Sequence, residues 1–242
     1  AYRKALLCGA FSRGCAVTSN RSRQTPKENA QSRLVYAGRL SFYYGEISYM
    51  DKLLECTRAF EKLLDTQYRI IIGRKGKKVE IVIGFSKLDF HHLMGLGKLK
   101  DLRIAKQNRE TVFNEILKGI ITYKEITESR YIGLLQNRFE PLMSIEQLLD
   151  NNRLVFRYNT KLNQFSLIEA DYLLSIPHEE KDIYIFIAKN EASGTYYCRS
   201  FFPKEQTDYT KGQAIYTMLY KEKVCLSTGK KQIQYDRLTP KR

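Results

Sequence analysis

The stretch YRIIIGRKGKKVEIVIGF, residues 68–85, decides the fold class of this chain. Two runs rich in β-branched residues flank a turn of Lys and Gly. Ile70 and Ile72 share one face of the first run, and Ile81 and Ile83 share one face of the second. Alternation with a period of two on either side of a glycine-containing turn is typical of a β-hairpin with one buried face. We therefore predict an antiparallel hairpin over these residues.

The segments on both sides of the hairpin have the spacing of helices. Before it, residues 45–67 repeat apolar side chains every three to four positions. After it, NRETVFNEILKG (residues 108–119) has the same spacing and ends on Gly119, which favours a helix closed by that glycine. Ser or Thr followed three residues later by Asp, Glu or Gln is the spacing of a capping box, and it predicts further helix starts at Ser86, Thr122 and Ser144.

The last third of the chain turns to strands. We predict strands in RLVFRYN (153–159), QFSLIEA (164–170), DIYIFIAKN (182–190) and GTYYCRSFF (194–202). DYTKGQAIYTMLY (208–220) is expected to be helical, and KEKVCLSTG (221–229) to be a final short strand. The order of elements is a helix, a hairpin, more helices and then a mostly antiparallel sheet. This order predicts an α+β fold in which helices pack on the sheet.

The net charge of +15 over 242 residues is concentrated at the two ends of the chain. Residues 1–41 hold eight Lys and Arg against one acid, Glu28, and residues 204–242 hold nine against four. Basic arms of this kind bind polyanions such as nucleic acid, and solvated tails have the same composition. We divide the chain into a basic, Ser/Arg-rich N-terminal arm or leader, residues 1–44, and a folded domain, residues 45–242.

The cysteines and the apolar runs indicate the compartment. The five cysteines are scattered and show no CxxC spacing, which argues against a disulfide framework or a zinc ribbon and favours a reducing environment. No apolar run approaches the roughly 18 residues that a membrane-spanning helix needs. We therefore expect a soluble, cytoplasmic protein with no membrane partner.

Two of the three histidines are adjacent, in SKLDFHHLMGLGKLKDL (residues 86–102). If the helix runs through this stretch, His92 falls on a stripe with Leu88, Leu96 and Leu99, and His91 projects towards solvent. A histidine on an apolar stripe is either a hydrogen-bonded core residue or an acid–base group at the edge of a packed surface. Adjacent histidines diverge on a helix, so they do not bind one metal ion, and nothing near His178 offers a second ligand at a familiar spacing.

Several catalytic classes lack their motifs. The chain has no GxxxxGK[ST] phosphate loop, no GxGxxG after a strand and no GxSxG nucleophile elbow. We therefore expect no cofactor and no metal. What remains is a set of His, Lys, Arg, Ser and Tyr side chains, which suits RNA cleavage. One group withdraws the 2′-OH proton, another protonates the leaving 5′-oxygen, and a cation stabilises the phosphorane.

The order of several motifs resembles a known superfamily. The motifs are FSKLDFHHLMGLGKLKDL, NRETVFNEILKG, IEADYLL, YIFIA, RSFFP and MLYKEKV. From Gly45 to Arg237 the chain resembles a phage-associated branch of the barnase–EndoU–colicin–RelE-like (BECR) nucleases. The resemblance implies a BECR-like RNase fold and a metal-independent endoribonuclease, often a toxin or mobile-element effector. Such an enzyme cleaves tRNA or mRNA and leaves a 2′,3′-cyclic phosphate.

The resemblance also implies roles for individual side chains. His92 is the first choice for the general acid or base, Ser200 for a hydrogen bond to the scissile phosphate, and Lys221 and Lys223 for stabilisation of the phosphorane. A charged edge strand is the alternative explanation for the two lysines. Lys98 and Arg138 are expected to contact phosphates, and Tyr209 to stack on a base.

Three functions are compatible with these patterns. The first is the RNase, whose partners are an RNA (tRNA or mRNA) and an acidic antitoxin or immunity protein. The second is a non-catalytic nucleic-acid-binding module on a nuclease-like scaffold. The third is a protein-interaction domain of phage or plasmid machinery. Loss of His92 separates the first two, because it abolishes cleavage and spares binding.

Overall fold

The computed structural model describes residues 51–163 and 166–240, so the predictions for the arm at residues 1–44 lie outside the described residues. Six α-helices of the described residues precede most of the strands: α1 (Lys52–Glu61), α2 (Lys87–Met94), α3 (Arg109–Leu117), α4 (Tyr123–Thr127), α5 (Gln136–Met143) and α6 (Ile145–Asn151). The eight described strands are β1 (Thr66–Arg74), β2 (Lys77–Ile83), β3 (Leu154–Arg157), β4 (Tyr172–His178), β5 (Lys181–Lys189), β6 (Tyr196–Pro203), β7 (Ala214–Cys225) and β8 (Lys231–Asp236).

The predicted hairpin is confirmed as β1 and β2. The strands are antiparallel, and Ile70 lies opposite Ile81. Lys75 and Gly76, the two turn residues, have φ of 48° and 77°. A two-residue turn with positive φ at both positions matches the right-handed twist of the flanking strands, and glycine adopts that conformation without strain. Ile70, Ile72, Ile81 and Ile83 are buried in the main core, as the alternation predicted, whereas Ile71 between them is only partly buried.

Seven strands form a closed ring in the order β1-β2-β6-β5-β4-β3-β7, and β7 pairs back to β1. Eight pairings join the described strands. Only the short contact of β2 with β6, at Ile83 and Tyr196, is parallel. The α+β class and the mainly antiparallel pairing are confirmed. The closure was not predicted, because it depends on β7, whose 12 residues pair with β1 on one edge and with β3 and then β8 on the other.

Two predictions for the last third are wrong. Residues 208–220 were expected to be helical, but most of them belong to β7, which continues without a break to Cys225. Strands on both sides supply hydrogen-bond partners, and such tertiary pairing overrides local preference. Residues 164–170 were expected to form a strand, but the described part of that segment, residues 166–170, is irregular and β4 begins at Tyr172.

The capping predictions are confirmed at two of three helix starts. Asp89 accepts a hydrogen bond from the Ser86 backbone at 2.7 Å, and Glu125 accepts one from the Thr122 backbone at 2.8 Å. Ser144 forms no side-chain cap, because α6 follows α5 directly and the backbone at Ser144 is not extended. A capping side chain needs an extended residue ahead of the helix.

Two hydrophobic clusters lie on opposite faces of the sheet. The larger one joins the helices to the inner residues of the strands. The smaller one contains Phe156, Tyr158, Leu173, Tyr184 and Phe186, with Phe202 and Tyr209 packed against it. Successive residues of β4 belong to different clusters, as expected when side chains alternate across a strand. No helix among the described residues is long and apolar enough to cross a membrane.

Candidate active site

An open pocket of about 400 Å³ brings together four of the seven side chains that the sequence predicted. Lys98, Arg138, Ser200 and Tyr209 all line it. They come from the turn after α2, from α5, from β6 and from the loop after β6. The remaining lining residues are Gly133, Leu134, Asn137, Ile168, Phe202 and Glu205. The pocket therefore combines cations, a hydroxyl and aromatic rings, which are the groups that bind a nucleotide.

Arg138 is the central cation of the pocket. Arg138 is only 6% exposed, yet no carboxylate of the described residues lies within ion-pair distance of its guanidinium. Nη1 donates a hydrogen bond to the Leu93 carbonyl at 2.7 Å, and Nε has no partner among the described residues. Burial lowers the pKa of Arg138 to about 10, and Glu205 opposes that change. The guanidinium therefore stays charged at neutral pH, and a bound anion would compensate a charge that the protein leaves unpaired.

The turn after α2 lies against this guanidinium. Gly95 ends the helix with φ of +82°, and a Cβ added there would lie 3.5 Å from the Arg138 Cζ. On the other side, Cζ lies 5.9 Å from the ring centroid of Phe202. The Arg138 side chain is thus held between a helix terminus and an aromatic ring of β6.

The two adjacent histidines have the reverse of the predicted orientations. His91 is 4% exposed, and its Nε2 lies 3.0 Å from the Ile104 carbonyl, whereas His92 is exposed. The prediction continued the helix through Leu96 and Leu99, but α2 ends at Met94. The buried face of the real helix is set by Phe90, His91, Leu93 and Met94. His92 is therefore open to solvent, as an acid–base group needs to be.

His92 lies in a cationic environment. Partial desolvation of the ring lowers its pKa, and the charges of Arg109, Arg199, His91 and Arg138 lower it further. The imidazole is therefore neutral at pH 7 and is available as a base. His92 does not line the pocket, but α2, which carries it, packs on β6 and α5, two elements that do.

Lys98 and Glu205 give the pocket one cation and one acid near its surface. Burial and the charge of Arg138 lower the pKa of Lys98, and Glu205 counteracts them. The Glu205 carboxylate accepts a hydrogen bond from the Asn137 side chain. Asn137 and Glu205 were not predicted from the sequence, because single polar residues in a helix and a loop carry no motif.

A β-bulge places Ser200 beside a second cation. Phe186 pairs with Ser200 and Ile187 pairs with Cys198, so Arg199 is the extra residue of β6. A bulge re-aims side chains out of the regular alternation, and both Arg199 and Ser200 are partly exposed. Arg199 was missed in the prediction, although it stands beside Ser200 in the quoted RSFFP motif.

Tyr209 lies at the edge of the smaller hydrophobic cluster. Its ring contacts Tyr184, Phe186 and Phe202 edge to face, with centroids 5.4–5.8 Å apart. The ring is partly exposed and lines the pocket. The surrounding aromatics fix its orientation, so a base that stacks on it meets a rigid surface.

The structure does not bring Lys221 and Lys223 to this pocket. Lys221 is 1% exposed, and its Nζ donates to the backbone carbonyls of Leu149 and Asp150 at the end of α6. Lys223 Nζ pairs with Glu146 at 2.6 Å and with Asp150 at 3.1 Å. Their strand, β7, has partners on both edges, so it is not a charged edge strand either. Both lysines attach α6 to the sheet.

One cluster of ligand types lies elsewhere. The ligand atoms of Glu140, His178 and Glu179 lie within 4.8 Å of one another, and His178 Nε2 lies 3.4 Å from the Glu140 carboxylate. No motif along the chain predicts this cluster, because Glu140 is distant from His178 in the sequence. Both glutamates are exposed, and groups of exposed acids are common without an ion.

Comparison with known families identifies the chain. A family model described as phage-Barnase-EndoU-ColicinE5/D-RelE like nuclease4 (PBECR4) matches residues 52–238. The match includes every residue that lines the pocket, and it confirms the resemblance seen in the sequence. No curated protein and no solved structure matches the chain. The chain belongs to the PBECR4 family of phage-associated nucleases.

Proposed function

We propose that the protein is a metal-independent endoribonuclease, a toxin or mobile-element effector that cleaves tRNA or mRNA and leaves a 2′,3′-cyclic phosphate. The observation that carries this proposal is Arg138, a buried guanidinium without an acidic partner among the described residues, lining the same pocket as Lys98, Ser200 and Tyr209. A pocket with an uncompensated positive charge favours a phosphate, and an aromatic wall beside it favours a base.

The proposal assigns one role to each group according to its chemistry. His92 is neutral at pH 7 and accepts the proton of the 2′-OH as that oxygen attacks the phosphorus. Arg138 and the Ser200 hydroxyl hold the phosphate oxygens, and the guanidinium stabilises the extra negative charge of the phosphorane. Lys98 protonates the leaving 5′-oxygen, which breaks the P–O bond. Tyr209 stacks on a neighbouring base.

The composition of the pocket supports cleavage that is independent of a metal ion. Among the described residues that line it, Glu205 is the one carboxylate, and the Asn137 side chain already donates to it. Mg²⁺ in nucleases is bound by carboxylates together with substrate phosphates, and two-metal sites need several of them. The cations of this pocket instead provide the charge stabilisation directly.

The test is cleavage of total RNA in excess EDTA by the wild-type protein, a His92→Asn variant and a matched His178→Asn control. His178 lies in the separate cluster with Glu140 and Glu179, its Nε2 3.4 Å from the Glu140 carboxylate. We expect discrete fragments with 2′,3′-cyclic phosphate ends from the wild type and the control, and a loss of about 10² to 10⁴-fold in rate for His92→Asn.

Three results would contradict the proposal. Equal cleavage by the His92 variant would remove the assigned base. Cleavage that stops in EDTA and returns with Mg²⁺ would require a metal site. Intact RNA in every reaction, with folded protein that binds RNA in a salt-dependent way, would favour a binding module.

We also propose a location and a partner. The RNA substrate and the free thiols of Cys56, Cys198 and Cys225 fit the reducing cytoplasm of the producing or the target bacterial cell. A nuclease toxin requires an inhibitor in the cell that makes it. The net charge of +15 favours an acidic antitoxin or immunity protein, because complementary charge raises the association rate.

A further inference from the structure

The last turn of α2 is tied to a distant helix. The helix has eight residues, and the Gly95 N–H closes it by donating to the carbonyls of His91 and His92. The carbonyls of the final residues of a helix have no partner inside the helix. The Leu93 carbonyl is one of them, and it receives its hydrogen bond from Arg138 Nη1, which comes from α5 and lies 45 residues further along the chain.

The same guanidinium therefore touches two functional parts of the molecule. One side of Arg138 holds the residue that follows His92, packs against Gly95 and completes the end of α2. The side chain also lines the pocket proposed to take the scissile phosphate. A planar guanidinium holds its five donors in a fixed fork, so it can make both contacts at once in one geometry, which a flexible ammonium does not impose.

We propose that Arg138 is a positioning residue for His92, fixing the His92–Gly95 turn and with it the position of the imidazole relative to the pocket that Arg138 lines. This inference rests on the proposed function for its catalytic meaning. The structural link itself needs no RNA.

A purely structural role explains the observations less well. Burying a guanidinium without an acidic partner is costly, and an apolar side chain of similar volume usually fills such a space at equal or better stability. Arg138 also leaves Nε without a partner among the described residues. Because burial of this charge lowers the stability of the folded state, we infer that the charge has a role that an apolar side chain such as methionine cannot perform.

The experiment measures the free protein, so its result does not depend on cleavage. In protein labelled at histidine, NMR signals from three imidazole side chains are assigned. A pH titration of the His92 signal then gives the pKa of that imidazole. Hydrogen exchange measures the amides of the His92–Gly95 turn. The variants are Arg138→Met, which removes both the charge and the Leu93 hydrogen bond, and Arg199→Met, which removes a neighbouring charge only. Among the described residues, the Arg199 side chain makes no hydrogen bond to α2.

Both variants are expected to raise the pKa of His92, because each removes a nearby positive charge. Arg138→Met alone is expected to speed amide exchange in the His92–Gly95 turn by about tenfold or more, the effect of losing a hydrogen bond from a charged donor. Unchanged exchange in folded Arg138→Met overturns the proposal, and so does an equal increase in Arg199→Met. If Arg138→Met does not fold, Arg138→Lys gives the same test, since it keeps the charge and loses the planar fork.

The result also separates this inference from the proposed function. If amide exchange is faster in Arg138→Met but the wild-type protein does not cleave RNA, the positioning role stands and the ribonuclease proposal is rejected. If the wild-type protein cleaves RNA but exchange is unchanged in Arg138→Met, the ribonuclease proposal stands and the positioning role is rejected.

Discussion

Replacing Lys221 by methionine tests whether this lysine is a buried structural cation. The residue is 1% exposed in β7, and its ammonium donates to the carbonyls of Leu149 and Asp150. Burial lowers the pKa of Lys221 from 10.5 to about 8. Asp150 opposes the change, and Lys223 and Arg153 add to it. In the unfolded chain the ammonium is hydrated and titrates at its ordinary pKa.

The difference between the two pKa values sets the size and the sign of the effect. One pKa unit corresponds to about 1.4 kcal/mol, so the charged lysine costs the folded state about 3 kcal/mol. Below pH 8 both states hold the proton, and the cost is present in full. Between pH 8 and 10.5 the folded protein releases the proton before the unfolded chain does, so its stability rises with pH. Methionine has no proton to release and shows no such rise.

The assay is urea unfolding of the wild type and of Lys221→Met at a series of pH values between about 7 and about 10.5. We expect the free energy of unfolding of the wild type to gain about 3 kcal/mol relative to the variant across this range. At pH 7 the variant gains stability from the lost charge penalty and loses stability from the lost hydrogen bonds. The prediction therefore concerns how the free energy of unfolding changes with pH, and not its value at pH 7. A difference between the two proteins that stays constant with pH would refute the reasoning.

Further predictions concern the pocket and α2. The cleavage rate, measured from about pH 5 to about pH 8, should reach its plateau with a midpoint below 6.5, because partial desolvation and then the charges around His92 lower its pKa and keep it a base in mild acid. Gly95→Ala should lower the free energy of unfolding by about 1–2 kcal/mol in urea unfolding, because an L side chain is strained at its positive φ. Gly84→Ala, which adds a Cβ into open space, should change it by less than about 0.5 kcal/mol. Tyr209→Ala should weaken binding of a short RNA by about 1–3 kcal/mol in fluorescence titration, and Tyr209→Phe should not, because the stacking surface remains.

Local patterns were sufficient where local forces decide. The hairpin of β1 and β2, the capped starts of α2 and α4 and the glycine that closes α3 were all predicted from residues within one or two turns of each other. The family was also predicted from the order of its motifs, because such motifs are read along the chain. The hairpin, the capped helix starts and the closing glycine depend on contacts that are close in sequence.

The orientation of the two histidines was beyond the reach of a helical wheel. A wheel assumes that the helix continues, and here it ends at Gly95, where Arg138 packs against the turn. The closed ring was likewise unpredictable, since β7 pairs with strands that are far away in the chain. The identity of β7 as a strand follows from those same partners.

The sequence by itself determined the α+β class, the family and the types of side chain available for chemistry. Only the tertiary structure decided which of these side chains meet. It placed Lys98, Arg138, Ser200 and Tyr209 around one pocket and left Lys221 and Lys223 at the end of α6. The physical reason is that a pocket is formed by elements distant in sequence, and whether a lysine is free or paired depends on the neighbours that folding gives it.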